Sequence, residues 1–310
     1  MFARIFAIAM NTYREAVRAR VLHAMLGLAL ATCAYALLVA TLSLHNETRV
    51  VADLGAASTS LYAVLVAIIL GATSLHREVE LKTVFPILGR PIHRHEYLVG
   101  KYLGTFVTLV VFVALDAATV LALLAVEAGQ AVWKIGATAL LLLGILGVTA
   151  LRARFTRVFV VIPWGLACLG AFTLLSSPAG PERQLVLLSA GLTLCEVGII
   201  AAVATLFSSF SSPFLTATFT FGVFLVGRSA DTLANLPVRT VGRTLRSLGS
   251  VLARVFPNLH VYVPPRPLLL GEVSDVSLPG FAGAAAAHAL FYAAALLTLS
   301  AVIFRKRDFQ

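Results

Sequence analysis

Apolar runs, all but one of them long enough to cross a bilayer, recur along the whole chain, at residues 21–44, 55–75, 99–126, 132–151, 158–176, 184–207, the shorter 214–227 and 281–304. A helix that spans a membrane needs about 20 predominantly apolar residues, and it must satisfy its own backbone polar groups because hydrocarbon offers no partner. A soluble domain has nowhere to hide so many runs, since each of its helices requires a polar face. Hydrophobic residues make up 59% of the 310 and the mean hydropathy is +0.94. These features predict an all-α polytopic membrane protein with eight transmembrane helices, six being the alternative.

The net charge of +10 is organised by topology. Basic residues cluster in the first 20 positions, in 76–101, in 152–157 and at 305–307. With the N-terminus inside, eight spans put all four clusters on one side, as the positive-inside rule requires, and both termini are then cytoplasmic. The loop 228–280 is the exception, because it falls outside yet carries Arg228, Arg239, Arg243, Arg246, Arg254 and Arg266. The rule weakens as loops approach about 60 residues, so the short loops decide. The basic clusters lack interleaved aromatic residues, which argues against a nucleic-acid platform.

Two amphipathic helices are expected outside the spans. Residues 1–20 place Phe2, Ile5, Phe6, Ala9, Tyr13 and Val17 at helical spacing between Arg4, Asn11, Arg14, Glu15 and Arg18. This pattern suits a helix lying in the inner interface. Within 228–280, Val238, Val241, Leu245, Leu248, Val251, Leu252 and Val255 keep the same spacing, and Pro257, Pro264, Pro265 and Pro267 then impose a non-helical return. No cleavable leader is expected, the first span serving as an anchor.

The sequence contains no catalytic constellation. Gly100-Lys101 resembles the end of a phosphate-binding loop, but His95 stands where its first glycine belongs and Tyr102 replaces the Ser or Thr. His76, His93 and His95 have no cysteine near them and read as interfacial histidines rather than a metal site. Cys33, Cys168 and Cys195 fall inside spans and read as small packing residues. Asp116 and Glu196 lie within spans, where a charge is costly and usually faces a bundle interior or an aqueous cavity, so both are functional candidates.

The polar stretch 75–104 carries a resemblance. Its Glu78, Thr83, Leu88, Pro91, Arg94, Gly100 and Lys101 resemble the pattern of ABC type-2 permeases: an acid after the second span, a turn ending in proline, a basic residue, then Gly-Lys opening the third span. NTYREAVR near the start, Glu196 before LFSSFSSP, FPNL at 256–259 and the terminal FRKRDF extend the likeness. The nearest branch is the NosY-like permeases of multicopper-enzyme maturation. Such permeases have six spans, so 132–176 reads as an inserted helix pair within a single permease domain covering 1–310.

The resemblance implies a permease subunit of an ATP-driven exporter in a bacterial inner membrane, paired with a second permease copy. It needs no cofactor of its own, because ATP and Mg belong to a separate ATPase subunit. Residues 76–97 would be the coupling segment seated on that ATPase, with Glu78, Glu80, Lys82, Arg90, Pro91 and Arg94 as contacts. Physically, a helix ended by Gly89-Arg90-Pro91 presents a rigid tip, and the charges orient it. The rival readings are a scaffold or mechanotransmission subunit that moves no substrate, and an intramembrane enzyme using Asp116 or Glu196. The scarcity of polar residues in the spans favours an apolar or amphipathic cargo. Accessibility labelling should find 152–157 inside and 178–183 outside; outside labelling of 152–157 would restore the six-span plan.

Overall fold

The computed structural model describes residues 2–43, 46–80, 93–153, 157–235, 238–264 and 277–305, with the backbone alone at 75–80, 238–243, 245 and 305. The described chain is all-helical, without strands. Its helices are α1 (Phe2–Val17), α2 (Arg20–Ala40), α3 (Glu47–Glu80), α4 (Arg94–Glu127), α5 (Val132–Arg152), α6 (Arg157–Leu175), α7 (Pro181–Ser208), α8 (Pro213–Arg228), α9 (Ala230–Ala234), α10 (Val238–Val255) and α11 (Leu278–Arg305).

Seven of these are long and apolar enough to cross a membrane: α2, α3, α4, α5, α6, α7 and α11. The eighth expected span forms as α8, but its 16 residues reach only about 24 Å, against roughly 30 Å of hydrocarbon. It stops at Arg228, whose side chain turns into the bundle. The amphipathic helix expected after it is present as α10, with Leu248, Val251, Leu252 and Val255 exposed along one side.

Helix ends follow the local chemistry. Gly129, at φ +84°, closes α4 in a conformation that costs glycine little and turns the chain into α5. Gly180, at φ +54°, precedes Pro181, which opens α7 in the position where its missing N–H is harmless. The Ser-rich turn between α7 and α8 is buried at Ser208 and Ser209. It tolerates burial because its hydroxyls bond the preceding helix: Ser208 Oγ to the Thr205 carbonyl at 3.0 Å and Ser209 Oγ to that of Leu206 at 2.6 Å.

At the centre, α3, α4 and α7 pack on one another, and α2, α8 and α11 surround them. Small residues allow the close approach that helix association in a bilayer relies on. A Cβ at Gly55 would strike Val120 of α4, and one at Gly71 would strike the Ala204 side chain of α7. The pair α5 and α6 sits at the periphery, α6 against α4 and α5 against α6. Trp164 Nε1 of α6 donates to the Leu142 carbonyl of α5 at 2.8 Å.

The first helix is held more firmly than an interfacial float. Ala9, Thr12, Tyr13 and Ala16 are buried, whereas Phe2 and Phe6 point outward and are 85% and 64% exposed. Gly100 and Gly104 open α4 to α1: a Cβ at Gly100 would lie 2.7 Å from Ile8, and one at Gly104 would meet the Ala9 carbonyl oxygen and Thr12. Ion pairs flank the contact, Arg4 with Glu96 at 3.7 Å and Lys101 with Glu15 at 3.6 Å. Tyr13 donates to the Val158 carbonyl at 3.1 Å, and its burial pushes the phenol up to about 12. Gly104→Ala should therefore lose about 1–3 kcal/mol of stability. Gly144→Ala, whose Cβ meets nothing within 4 Å, serves as the control. Equal melting temperatures of the two variants in detergent would reject the clamp.

Candidate functional site

Two helices that touch on one side of the bundle part on the other. Near the face that carries α1, α3 and α7 meet at Gly71 and Ala204. Further along they meet again where Ser60 Oγ donates to Glu196 Oε2 at 3.1 Å. Beyond that point they separate into a cleft of about 270 Å³. Asp53, Ala56, Ala57 and Ser60 line it from α3, and Leu185, Ser189 and Thr193 from α7. These spacings of three and four place each set on one helix face. Arg228 closes one side, and Tyr262, Val263 and Pro264 cover the mouth.

Glu196 lies behind the cleft wall, against Ser60 and Arg228. Its side chain is fully buried, and Oε1 accepts from Arg228 Nη1 at 2.6 Å while Oε2 accepts from Ser60. Both carboxylate oxygens are thus satisfied, which a buried charge at membrane depth requires. The Arg228 side chain is 31% exposed and lines the cleft.

The cover is built by the chain after α10. The Leu259 N–H donates to the Gly227 carbonyl at 3.0 Å, and a side chain at 227 would strike the Pro257 carbonyl oxygen and Leu259. Asn258 Nδ2 donates to Asp231 Oδ1 at 2.7 Å, tying the return to α9. Tyr262, buried and with its phenol held above the ordinary value by that burial, lies 2.8 Å from Nδ1 of His288 on α11. The FPNL segment of the sequence is therefore the root of this cover.

Neither intramembrane acid lines the cleft, but Glu196 is bonded to two residues that do, Ser60 and Arg228. Asp116 is equally buried but faces α2, where Cys33 Sγ donates to Oδ1 at 3.7 Å and Oδ2 has no hydrogen-bond partner among the described residues. The two acids are not brought together. Among the expected coupling residues, Arg94 Nη1 donates to the Phe304 carbonyl in the last turn of α11 at 3.2 Å. Glu78 and Glu80 lie on the last turn of α3, their side chains outside the described residues, as are Lys82, Arg90 and Pro91 altogether. No group of three or more His, Cys, Asp or Glu able to hold a metal occurs among the described residues.

Arg228, Ser60, Thr193 and Tyr262 are site residues that the sequence did not single out. Arg228 had one available signal, since it follows an apolar run only 14 residues long and so begins at membrane depth. The hydroxyls of Ser60 and Thr193 gave none, because Ser and Thr are common in spans.

A bundle with seven apolar spanning helices among the described residues, and a cleft between two of them lined by both polar and apolar side chains, defines an integral membrane protein. The family described as ABC-2 family transporter protein matches residues 6–309, and the chain belongs to that family. Its members are membrane components of transporters and generally work with a cytoplasmic ATPase. Comparison with curated proteins gives no match.

The ion pair sets a clear expectation. Arg228→Met leaves a buried carboxylate without its cation and should cost about 3–5 kcal/mol, and Glu196→Gln combined with Arg228→Met should recover most of that loss. Thermal unfolding in detergent reads both. A double variant no more stable than Arg228→Met alone would show that the pair is not what holds α8.

Proposed function

We propose that this chain is the permease subunit of an ATP-driven exporter of the NosY-like branch, acting as a pair of copies in a bacterial inner membrane with two ATPase subunits beneath. The observation that carries the reading is the construction around the elbow. Helix α3 continues to Glu80, and α4 restarts at Arg94. The first turn of α4 is tied to two other elements: Glu96 to Arg4 of α1, and Arg94 to the end of α11. Glu96 Oε2 also accepts the His93 N–H at 3.3 Å, which fixes the start of the helix.

A segment mounted between two anchored helices passes displacement to both. Residues 76–97 are the proposed ATPase contact, with Glu78, Glu80, Lys82, Arg90 and Pro91 meeting the partner and Arg94 bracing the elbow from within. ATP and Mg would be held by the ATPase, whose closure would rock α3 and α4 together. The cleft supports transport over a scaffold role, since a purely mechanical subunit has no use for a polar cavity. Its mouth lies away from the α1 face, and with the basic face inside this is the outer side, as export requires.

Charge reversal at Glu78→Lys and Glu80→Lys should reduce ATPase stimulation by about tenfold while leaving the folded chain intact. The measurement is ATP hydrolysis by the co-purified complex in lipid. Unchanged assembly together with unchanged stimulation would reject the coupling assignment.

A further inference from the structure

The closed end of the cleft is richer in hydrogen-bond donors than its own packing requires. Several buried hydroxyls on the spanning helices are spent on the preceding turn, as at Thr59, Thr108 and Thr205. Ser189 and Thr193, on consecutive turns of α7, are buried and line the cleft, yet have no hydrogen-bond partner among the described residues. Arg228 has five N–H donors. Glu196 takes one of them through Nη1, and the guanidinium makes no other hydrogen bond among the described residues.

Glu196 does not compete for a ligand. It is fully buried, and both its oxygens are engaged, by Arg228 and Ser60. It acts as a bracket that holds the guanidinium through Nη1 on the cleft lining, and a guanidinium held at one nitrogen keeps further N–H donors of the kind that suit a second oxyanion. The one acidic residue on the lining, Asp53, stands seven residues before Ser60 on α3, about 10 Å along the helix from it. Between them the walls are apolar: Ala56, Ala57, Leu185, Val263 and Pro264. The volume of about 270 Å³ falls just below the roughly 300–1,000 Å³ of pockets for drug-sized ligands, which limits the occupant to a small molecule or to one group of a larger one.

We propose that this cleft binds an oxyanion of the phosphate or sulfate class, with Arg228 as its anchor and Ser189 and Thr193 as lateral donors. The group enters from the mouth between α3 and α7, because Gly71 and Ala204 close the other side. The proposal depends on the permease reading only for the use to which the site is put. Binding is measured without the ATPase, so a failure here leaves the coupling assignment standing, and the reverse also holds.

The test uses the full chain in phosphatidylcholine nanodiscs, with thermal unfolding followed during titration with inorganic phosphate at constant ionic strength. A parallel set of nanodiscs contains phosphatidylglycerol and no phosphate. Saturable stabilisation by phosphate is expected. Thr193→Val should weaken the apparent Kd about tenfold, as loss of a hydrogen bond to a charged group does. The double variant Glu196→Gln/Arg228→Gln, which keeps a hydrogen-bonded amide pair without the charge, should abolish the response. Stabilisation by phosphatidylglycerol alone, sensitive to the same variants, would assign the oxyanion to a lipid headgroup and support the site. No response to either probe in the folded protein, or a response that both variants leave intact, would overturn it.

Discussion

The pairing of Glu196 with Arg228 is the interaction on which the cleft side of this bundle depends. A carboxylate at the middle of a spanning helix is tolerable only when its charge and both oxygens are answered. Arg228 supplies the charge from α8 and Ser60 supplies the second hydrogen bond from α3, so one group joins three helices. This pairing accounts for the short α8. The helix ends where its arginine can reach inward, and the chain must then run on from within the bundle. Gly227 allows the later segment at 257–259 to lie directly against that end. The cover over the cleft follows from the same requirement.

The opposite side of the bundle is held by a different device. There α1 lies on the first three turns of α4 through Gly100 and Gly104, with a salt bridge on either flank. The Gly-Lys pair that makes a poor phosphate loop thus has a packing explanation: the glycine admits Ile8, and the lysine reaches Glu15. Arg94 adds the end of α11 to the same assembly. The start of α4 is accordingly one of the most heavily braced points in the chain, and it lies immediately after the elbow.

Much of this was legible in the sequence because a bilayer imposes a length and a composition that few other contexts demand. Each of the eight expected runs lies on a helix, and the amphipathic helix at 238–255 falls where its periodicity put it. The site was less legible. Asp116 and Glu196 look alike as acids inside apolar runs, and only packing separates one facing Cys33 from one paired with the arginine that lines the cleft. Arg228 was read as a loop charge and counted against the positive-inside rule. At the closed end of the cleft it is an intramembrane partner, so it drops out of that count, and the anomaly of the 228–280 loop shrinks accordingly. The resemblance identified FPNL as a marker without a reason; the reason is Gly227, some thirty residues earlier.

What connects the two sides is α3, which carries Ser60 at the closed end of the cleft, Gly71 at the contact with α7, and Glu80 at its elbow end. Eleven residues separate Ser60 from Gly71 and nine separate Gly71 from Glu80, arms of about 16 and 14 Å. At Gly71 the two helices are separated only by the Ala204 methyl, and contact between small residues permits rotation more readily than interlocked bulk does. A rigid α3 turning about that point would move its cleft end by nearly the same distance as its elbow end, in the opposite sense. The Ser60–Glu196 hydrogen bond lies on the moving arm, whereas Arg228 is carried by α8. Such a turn would therefore separate Ser60 from the carboxylate while leaving the ion pair made, loosening one side of the oxyanion site without exposing an unpaired charge.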